Sequence, residues 1–134
     1  MNYANTLIAV AEDCTATKAT VPAPRGGKAT IATLQYAMIS EHPYQYTQED
    51  VLFEVWWVRQ NARAGSKTQA RKAFFAKDQP CLRTSPLPKQ YGWGLLFDER
   101  GRVALCPIES AEYQQSLASA SLQVLKAMRS SRAR

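Results

Sequence analysis

The sequence predicts an α+β fold, in which helices cover one face of a mostly antiparallel sheet of about four strands. Three observations support this fold class. Short apolar runs of strand length occur near both ends of the chain, two more flank a glycine-containing turn, and the segments between them space their apolar residues as helices do. The resulting order, β-α-α-α-β-β-α-β, is typical of an α+β domain.

The first strand and first helix follow from two patterns. Thr6–Ala11 is a short apolar run before two acids, which predicts a buried strand. Ile31, Leu34 and Met38 then lie three and four residues apart, which predicts one helical face, and the helix is expected to end before Pro43.

Capping signals mark the next two helices. Thr47 with Asp50 resembles a capping box ahead of the apolar run Val51–Val58, so we expect a second helix there. Ser66 repeats the capping signal and predicts a third helix. Residues 78–90 contain three prolines and little periodicity, and are predicted to form an ordered loop.

A β-hairpin is the clearest signal in the chain. Trp93–Phe97 and Arg102–Cys106 flank a turn in which Gly101 can adopt a left-handed backbone conformation. Ser110 then predicts the cap of a short helix, and Leu122–Met128 the last strand.

Length and charge limit the class of protein. The chain has 134 residues, 46% of them hydrophobic and 21% charged, which suits one soluble globular domain over residues 1–134 with a basic tail from about 129. The net charge is +6, and Val55–Phe97 carries eight basic residues and one acidic residue. This excess predicts a positive face for phosphates, nucleic acid or an acidic partner, unless the charges are only solvated.

Cysteine and histidine usage argues against a metal site. Cys14, Cys81 and Cys106 are far apart, and His42 is the only histidine, so neither a metal nor another cofactor is predicted. No apolar run reaches the roughly 20 residues that span a bilayer. No basic segment precedes Leu7–Ala11 as in a secretory signal. We therefore expect a cytoplasmic chain with reduced thiols and no membrane association.

Five segments carry a family resemblance: Asn5–Ile8, Tyr46–Phe53, Cys81–Lys89, Tyr91–Gly94 and Lys126–Ser130. Together they resemble a family of small bacterial proteins described only as a domain of unknown function. The resemblance extends over nearly the whole chain. It implies no reaction, cofactor or partner, because the family has none assigned.

The segment from Arg83 to Gly94 is the best candidate site. It carries a guanidinium, hydroxyls, an ammonium, a phenol and an indole on Arg83, Thr84, Ser85, Lys89, Tyr91 and Trp93. Arginine and lysine bind phosphate or carboxylate, and aromatic rings offer a stacking face. Gly92 and Gly94 are expected to leave room for a ligand. The alternative is a structural loop stiffened by prolines.

The basic end of the chain is expected to supplement this loop, on the assumption that the last strand lies beside the hairpin. Its cations are Lys126, Arg129, Arg132 and Arg134. These residues together predict a non-enzymatic module that binds an anionic ligand, either a phosphorylated metabolite or nucleic acid. A frayed, solubilising tail is the alternative.

Two other function classes stay open. Cys81 is close to Arg83 in the sequence, and a nearby arginine can lower the pKa of a thiol. A small enzyme with Cys81 as nucleophile and His42 as base is therefore one alternative. The other is a protein-interaction module, such as a homodimer, built on the aromatic second helix with Trp56 and Trp57.

Overall fold

Four strands form a single sheet in the order β3-β2-β1-β4 in the computed structural model, which describes residues 2–60 and 65–131. The strands are β1 (Thr6–Ala9), β2 (Trp93–Phe97), β3 (Val103–Pro107) and β4 (Gln123–Lys126). β2 pairs antiparallel with both β1 and β3, whereas β4 pairs parallel with β1. The mostly antiparallel sheet and the α+β class are therefore confirmed. The last strand does not lie beside the hairpin, however, since it extends the opposite edge of the sheet.

Five α-helices and one 3-10 helix accompany the sheet in the described residues. They are α1 (Ile31–Glu41), α2 (Gln48–Val58), α3 (Lys67–Ala76), the 3-10 helix (Leu82–Thr84), α4 (Pro86–Gln90) and α5 (Ala111–Ala118).

The capping residues expected from the sequence are confirmed. The Thr47 hydroxyl accepts a hydrogen bond from the Asp50 amide, and the Asp50 carboxylate accepts one from the Thr47 amide. Ser66 caps α3 and Ser110 caps α5 in the same way. Each hydroxyl accepts a hydrogen bond from the backbone amide three residues later. These bonds satisfy amides that have no partner within the helix, so they fix where each helix begins.

The prediction of a loop over residues 78–90 was wrong for Leu82–Thr84, a 3-10 helix, and for Pro86–Gln90, which form α4, whereas residues 78–81 do form a loop. Ser85 caps α4 by accepting a hydrogen bond from the Leu87 amide at 3.1 Å, and Pro86 occupies the first helical position. Pro88 lies in the same first turn, where amide hydrogens need no helical partner. Pro86 and Pro88 therefore lie at the start of a helix. A helix of five residues is too short to show a periodic pattern of apolar residues.

Side chains alternate between the two faces of the sheet. Ile8 and Leu95 belong to the main core, together with Ile39 of α1, Val51 of α2 and Leu87 of α4. The neighbouring side chains of the same strands lie on the opposite face, because successive residues of a strand point to opposite sides. There Leu7 and Cys106 pack with Tyr113 of α5.

The turn of the hairpin requires Gly101. Its φ is +76°, and a Cβ at this position would lie 2.7 Å from the Tyr3 carbonyl oxygen. The predicted left-handed turn residue is confirmed.

Candidate functional site

A cleft of about 610 Å³ lies at the β4 edge of the sheet. It is lined by Glu12, Arg83, Lys126, Ala127, Met128, Arg129, Ser130 and Ser131. We call it the Arg83 cleft. Three cations from two distant segments of the chain meet there with one carboxylate.

Two hydrogen bonds fix the position of Arg83. Its Nε donates to the Lys126 carbonyl oxygen at 2.7 Å, and its own carbonyl oxygen accepts from the Met128 amide at 2.8 Å. The two terminal nitrogens of the guanidinium have no acceptor among the described residues. They remain free to donate to a molecule in the cleft.

Glu12 binds both other cations. Its Oε1 lies 2.9 Å from Lys126 Nζ and its Oε2 lies 3.0 Å from Arg129 Nη1. The hydrogen bond and charge of Lys126, followed by those of Arg129, lower the pKa of Glu12 below its usual value. All three side chains are substantially exposed, so these ion pairs add little stability and exchange readily for other anions.

Asp13 holds the chain that forms the end of the cleft. Its Oδ2 accepts hydrogen bonds from the amides of Ser130 and Ser131 at 2.9 and 3.0 Å. The Ser131 bond is the largest cause of the lowered pKa of Asp13. Arg129 and the two serines are thereby kept at the cleft. The tail residues Arg132 and Arg134 lie outside the described part of the chain.

The protein itself uses the polar atoms of two predicted site residues. Ser85 is buried, and its hydroxyl donates to Gln35 Oε1 at 2.6 Å while it caps α4. The indole of Trp93 donates to the Thr20 carbonyl oxygen at 2.8 Å, and its ring lies 5.4 Å from that of Tyr36. Both residues hold neighbouring segments in place and do not line the Arg83 cleft.

Tyr91 and Lys89 also lie away from the Arg83 cleft. Tyr91 lines a separate cleft of about 320 Å³ together with Arg25 and Arg59. Lys89 belongs to α4 and lines neither cleft. Of the predicted cations, Arg83, Lys126 and Arg129 therefore line one cleft, and Lys89 lies outside it.

The space expected beside two glycines is filled by protein. A Cβ on Gly92 would lie 3.0 Å from the Lys18 carbonyl oxygen, and one on Gly94 would lie 2.9 Å from the Tyr113 ring. The sequence interpretation that these glycines admit a ligand was wrong, because the segment around Lys18 and helix α5 pack there.

Cys81 and His42 have different neighbours. Cys81 lies beside Tyr3. The pKa of the Tyr3 phenol is raised to about 12, first by burial and then by the neighbouring Cys81 side chain. His42 packs edge-on against Tyr46 at 5.4 Å and lines a different cavity, of about 400 Å³, with Glu54. No hydrogen bond joins Cys81 to His42, both of which lie in the described part of the chain.

A family model matches residues 1–133 of the chain. The chain belongs to a family of unknown function, DUF6157. No curated protein and no solved structure matches the chain significantly. Since DUF6157 brings no assigned reaction, the function has to be argued from the side chains.

Two further properties of this DUF6157 protein concern membrane spans and metal sites. Over residues 2–60 and 65–131, none of the helices combines the length and apolarity needed to cross a membrane. In the same ranges, no three His, Cys, Asp or Glu side chains lie together in the manner of a metal site.

Sequence reasoning missed Glu12 and Asp13 as residues of the cleft. Both follow β1, and both contact residues that follow or end β4. Parallel strands carry their carboxyl ends to the same edge of a sheet, so the pairing of β1 with β4 brings the acids to the cations. The sequence shows the opposite charges but not this pairing.

Proposed function

We propose that this protein is a small-molecule binding protein that takes a phosphorylated ligand in the Arg83 cleft. One observation carries the proposal. Arg83, Lys126 and Arg129 line one cleft, and the terminal nitrogens of Arg83 have no acceptor among the described residues. Phosphate oxygens are the acceptors that a planar guanidinium binds with two parallel hydrogen bonds.

The other two cations exchange partners when the ligand binds. Lys126 and Arg129 are held by Glu12 through exposed ion pairs, which contribute about 0–1 kcal/mol in general. A phosphate dianion between them and Arg83 replaces the single Glu12 carboxylate. Glu12 therefore keeps the cleft ordered without a ligand and competes weakly with one.

The shape of the cleft favours a small phosphorylated molecule over nucleic acid. Its volume of about 610 Å³ falls in the roughly 300–1,000 Å³ range of small-molecule sites. The converging cations sit around this single concavity. Nucleic acid binding relies instead on many phosphate contacts spread along a surface.

The test is a titration of isotope-labelled protein, followed by backbone amide resonances at low salt. The probes are inorganic phosphate, a phosphorylated sugar and a short single-stranded oligonucleotide. We expect the phosphorylated sugar to shift the resonances of Lys126, Arg129 and Ser130, and added salt to reverse the shifts. An absence of shifts overturns the proposal. Selective binding of the oligonucleotide overturns the small-molecule assignment.

Glu12→Gln gives the proposal a sharper test. Removal of the competing carboxylate frees Lys126 and Arg129, so the affinity for the phosphorylated sugar is expected to rise about fivefold. Glu99→Gln is the matched control, because Glu99 lies in the turn of the hairpin. An equal effect of the two substitutions would show that net charge alone governs binding.

A homodimer through α2 is the second candidate function. Trp56 is 37% exposed and Val58 51% exposed, which favours a contact surface. The support is weaker, since the Trp56 ring already packs at 5.0 Å against Phe74 of α3, and the Trp57 ring stacks at 5.9 Å on Phe53. Sedimentation velocity tests this candidate, because a dimer has twice the monomer mass. The Trp56→Gln variant is then expected to sediment as a monomer.

A further inference from the structure

A further cleft lies between α1, α2, α3 and the segment before α4, with a volume of about 300 Å³. It shares no lining residue with the Arg83 cleft. Its walls are mainly apolar: Ile31, Leu52, Val55, Trp56, Phe74, Pro80 and Pro86. We call it the Trp56 cleft.

Two buried polar side chains, Gln35 and Ser85, line this apolar cleft. Gln35 is only 4% exposed, and its Oε1 accepts the hydrogen bond from Ser85. Its amide nitrogen has no acceptor among the described residues, and it is not an enclosed atom. It is therefore free to donate a hydrogen bond to an acceptor oxygen of a molecule in the cleft.

One end of the Trp56 cleft is positively charged. Ile31, Arg59 and Pro86 also line the neighbouring cleft of about 320 Å³, which contains Arg25 and Tyr91. Neither Arg25 nor Arg59 forms an ion pair with a carboxylate within the described ranges. The two clefts thus join an apolar wall to a pair of free guanidinium groups.

We infer that the Trp56 cleft binds a small organic acid with an apolar body, either an aromatic ring or a short acyl chain. The body packs against Trp56, Phe74 and the two prolines. The carboxylate is bound at Arg59, and one of its oxygens accepts a hydrogen bond from the Gln35 amide. This arrangement follows the usual pattern of small-molecule sites, in which a few polar groups orient a ligand held by apolar walls. The site is separate from the phosphate site and does not depend on it.

The experiment compares acids with a neutral analogue on the full chain. Phenylacetate and octanoate are the acid probes, and 2-phenylethanol is the neutral one. The readouts are the side-chain amide resonances of Gln35 and the indole resonance of Trp56. We expect both acids to shift these resonances and to bind about tenfold more tightly than the alcohol, the factor that one charge-assisted hydrogen bond supplies.

Arg59→Gln is the decisive variant, because Arg59 ends α2 at an exposed position and its loss leaves the apolar walls intact. We expect it to remove the preference for the acids and to leave the affinity for 2-phenylethanol unchanged. Arg100→Gln, in the hairpin turn, is the charge-matched control and should change neither. The inference is overturned by an absence of shifts, by equal affinities for acid and alcohol, or by an Arg59→Gln variant that keeps the preference.

Inorganic phosphate separates this result from the proposal for the Arg83 cleft. It is expected to shift the resonances of Ser130 and Arg129 without moving those of Gln35 and Trp56. Failure of phosphate binding alone leaves the organic-acid site standing. Phosphate shifts at Gln35 with no effect of the acids would overturn the assignment of an organic acid.

Discussion

Arg83 and Lys126 are joined by a hydrogen bond of 2.7 Å from the Arg83 Nε to the Lys126 carbonyl oxygen. The amide of Ala127 donates to Ala9 of β1, so the preceding carbonyl faces the open side of the edge strand. An unpaired edge invites pairing with other chains. Arg83 therefore covers part of this edge and also presents its remaining nitrogens to the cleft.

Arg83→Gln is expected to destabilise the fold by about 0.5–1.5 kcal/mol, since the Lys126 carbonyl loses its charged donor at a solvent-exposed position. Arg83→Lys keeps the charge but lacks the planar fork, so it should recover less than half of the loss. Urea denaturation measures both.

Arg100→Gln is the control for this pair, because Arg100 lies exposed in the hairpin turn. It should stay within about 0.5 kcal/mol of the parent chain. If Arg83→Lys proves as stable as the parent, the hydrogen bond to Lys126 does not hold β4.

Local signals explain why much of the fold was predictable. The capping box of Thr47 and Asp50 and the left-handed turn at Gly101 are each complete within a few residues, so the sequence contains all the groups that form them. The parallel pairing of β4 with β1 depends on contacts more than 100 residues apart along the chain. No local pattern specifies such a pairing.

The difference between local and long-range contacts also explains how much of the candidate site could be predicted. The cations Arg83, Lys126 and Arg129 line one cleft, although β4 lies beside β1 and not beside the hairpin, as the sequence interpretation had assumed. Ser85 and Trp93 have the right chemistry, but their polar atoms are engaged by Gln35 and Thr20, partners that only the folded chain reveals. Residue type predicts what a side chain can bind, and tertiary structure decides whether it is available.

Gly94→Ala is expected to destabilise the protein by about 1–3 kcal/mol, the usual cost of overpacking. The added Cβ would lie 2.9 Å from the Tyr113 ring and 3.1 Å from the Cys106 carbonyl oxygen. The Tyr113 ring cannot retreat freely, because its hydroxyl accepts a hydrogen bond from the Val10 amide at 3.0 Å. Thermal unfolding monitored by circular dichroism measures the loss.

Gly26→Ala is the control for this prediction. Gly26 has a φ of +59° and open space around its Cβ position, so the substitution adds backbone strain but no contact. We expect a smaller loss, of about 1 kcal/mol. A Gly94→Ala variant as stable as Gly26→Ala would mean that α5 shifts easily on the sheet.

Acidification is expected to release the end of the chain. The folded structure lowers the pKa of Asp13 and of Glu12, so each carboxyl group stabilises the fold above its unfolded pKa. This stabilisation is lost as the pH falls through the lowered folded values, in the window below about 4.5 for Glu12 and below about 3.8 for Asp13. The protection of the Ser130 and Ser131 amides against hydrogen exchange, measured relative to the intrinsic rate at each pH, should fall in the Asp13 window.

Asp13→Asn should make the protection of these two amides, taken relative to the intrinsic exchange rate at each pH, nearly independent of pH below about 4. Glu12→Gln should leave it pH-dependent, because Glu12 binds side chains and not these amides. If Glu12→Gln instead abolished the pH dependence and Asp13→Asn kept it, Glu12 would be the residue that holds this end of the chain.

Cys106 is expected to resist alkylation in the native protein. It is 0% exposed, and burial raises the pKa of its thiol to about 11, so both access and thiolate fraction are low at neutral pH. Cys14 and Cys81 are partly exposed and should react with iodoacetamide first, with the modified positions read by peptide mass spectrometry. Denaturant should bring Cys106 to the rate of the other two. Rapid native labelling of Cys106 would show that α5 opens away from the sheet, because Tyr113 of α5 packs with Cys106 on that face.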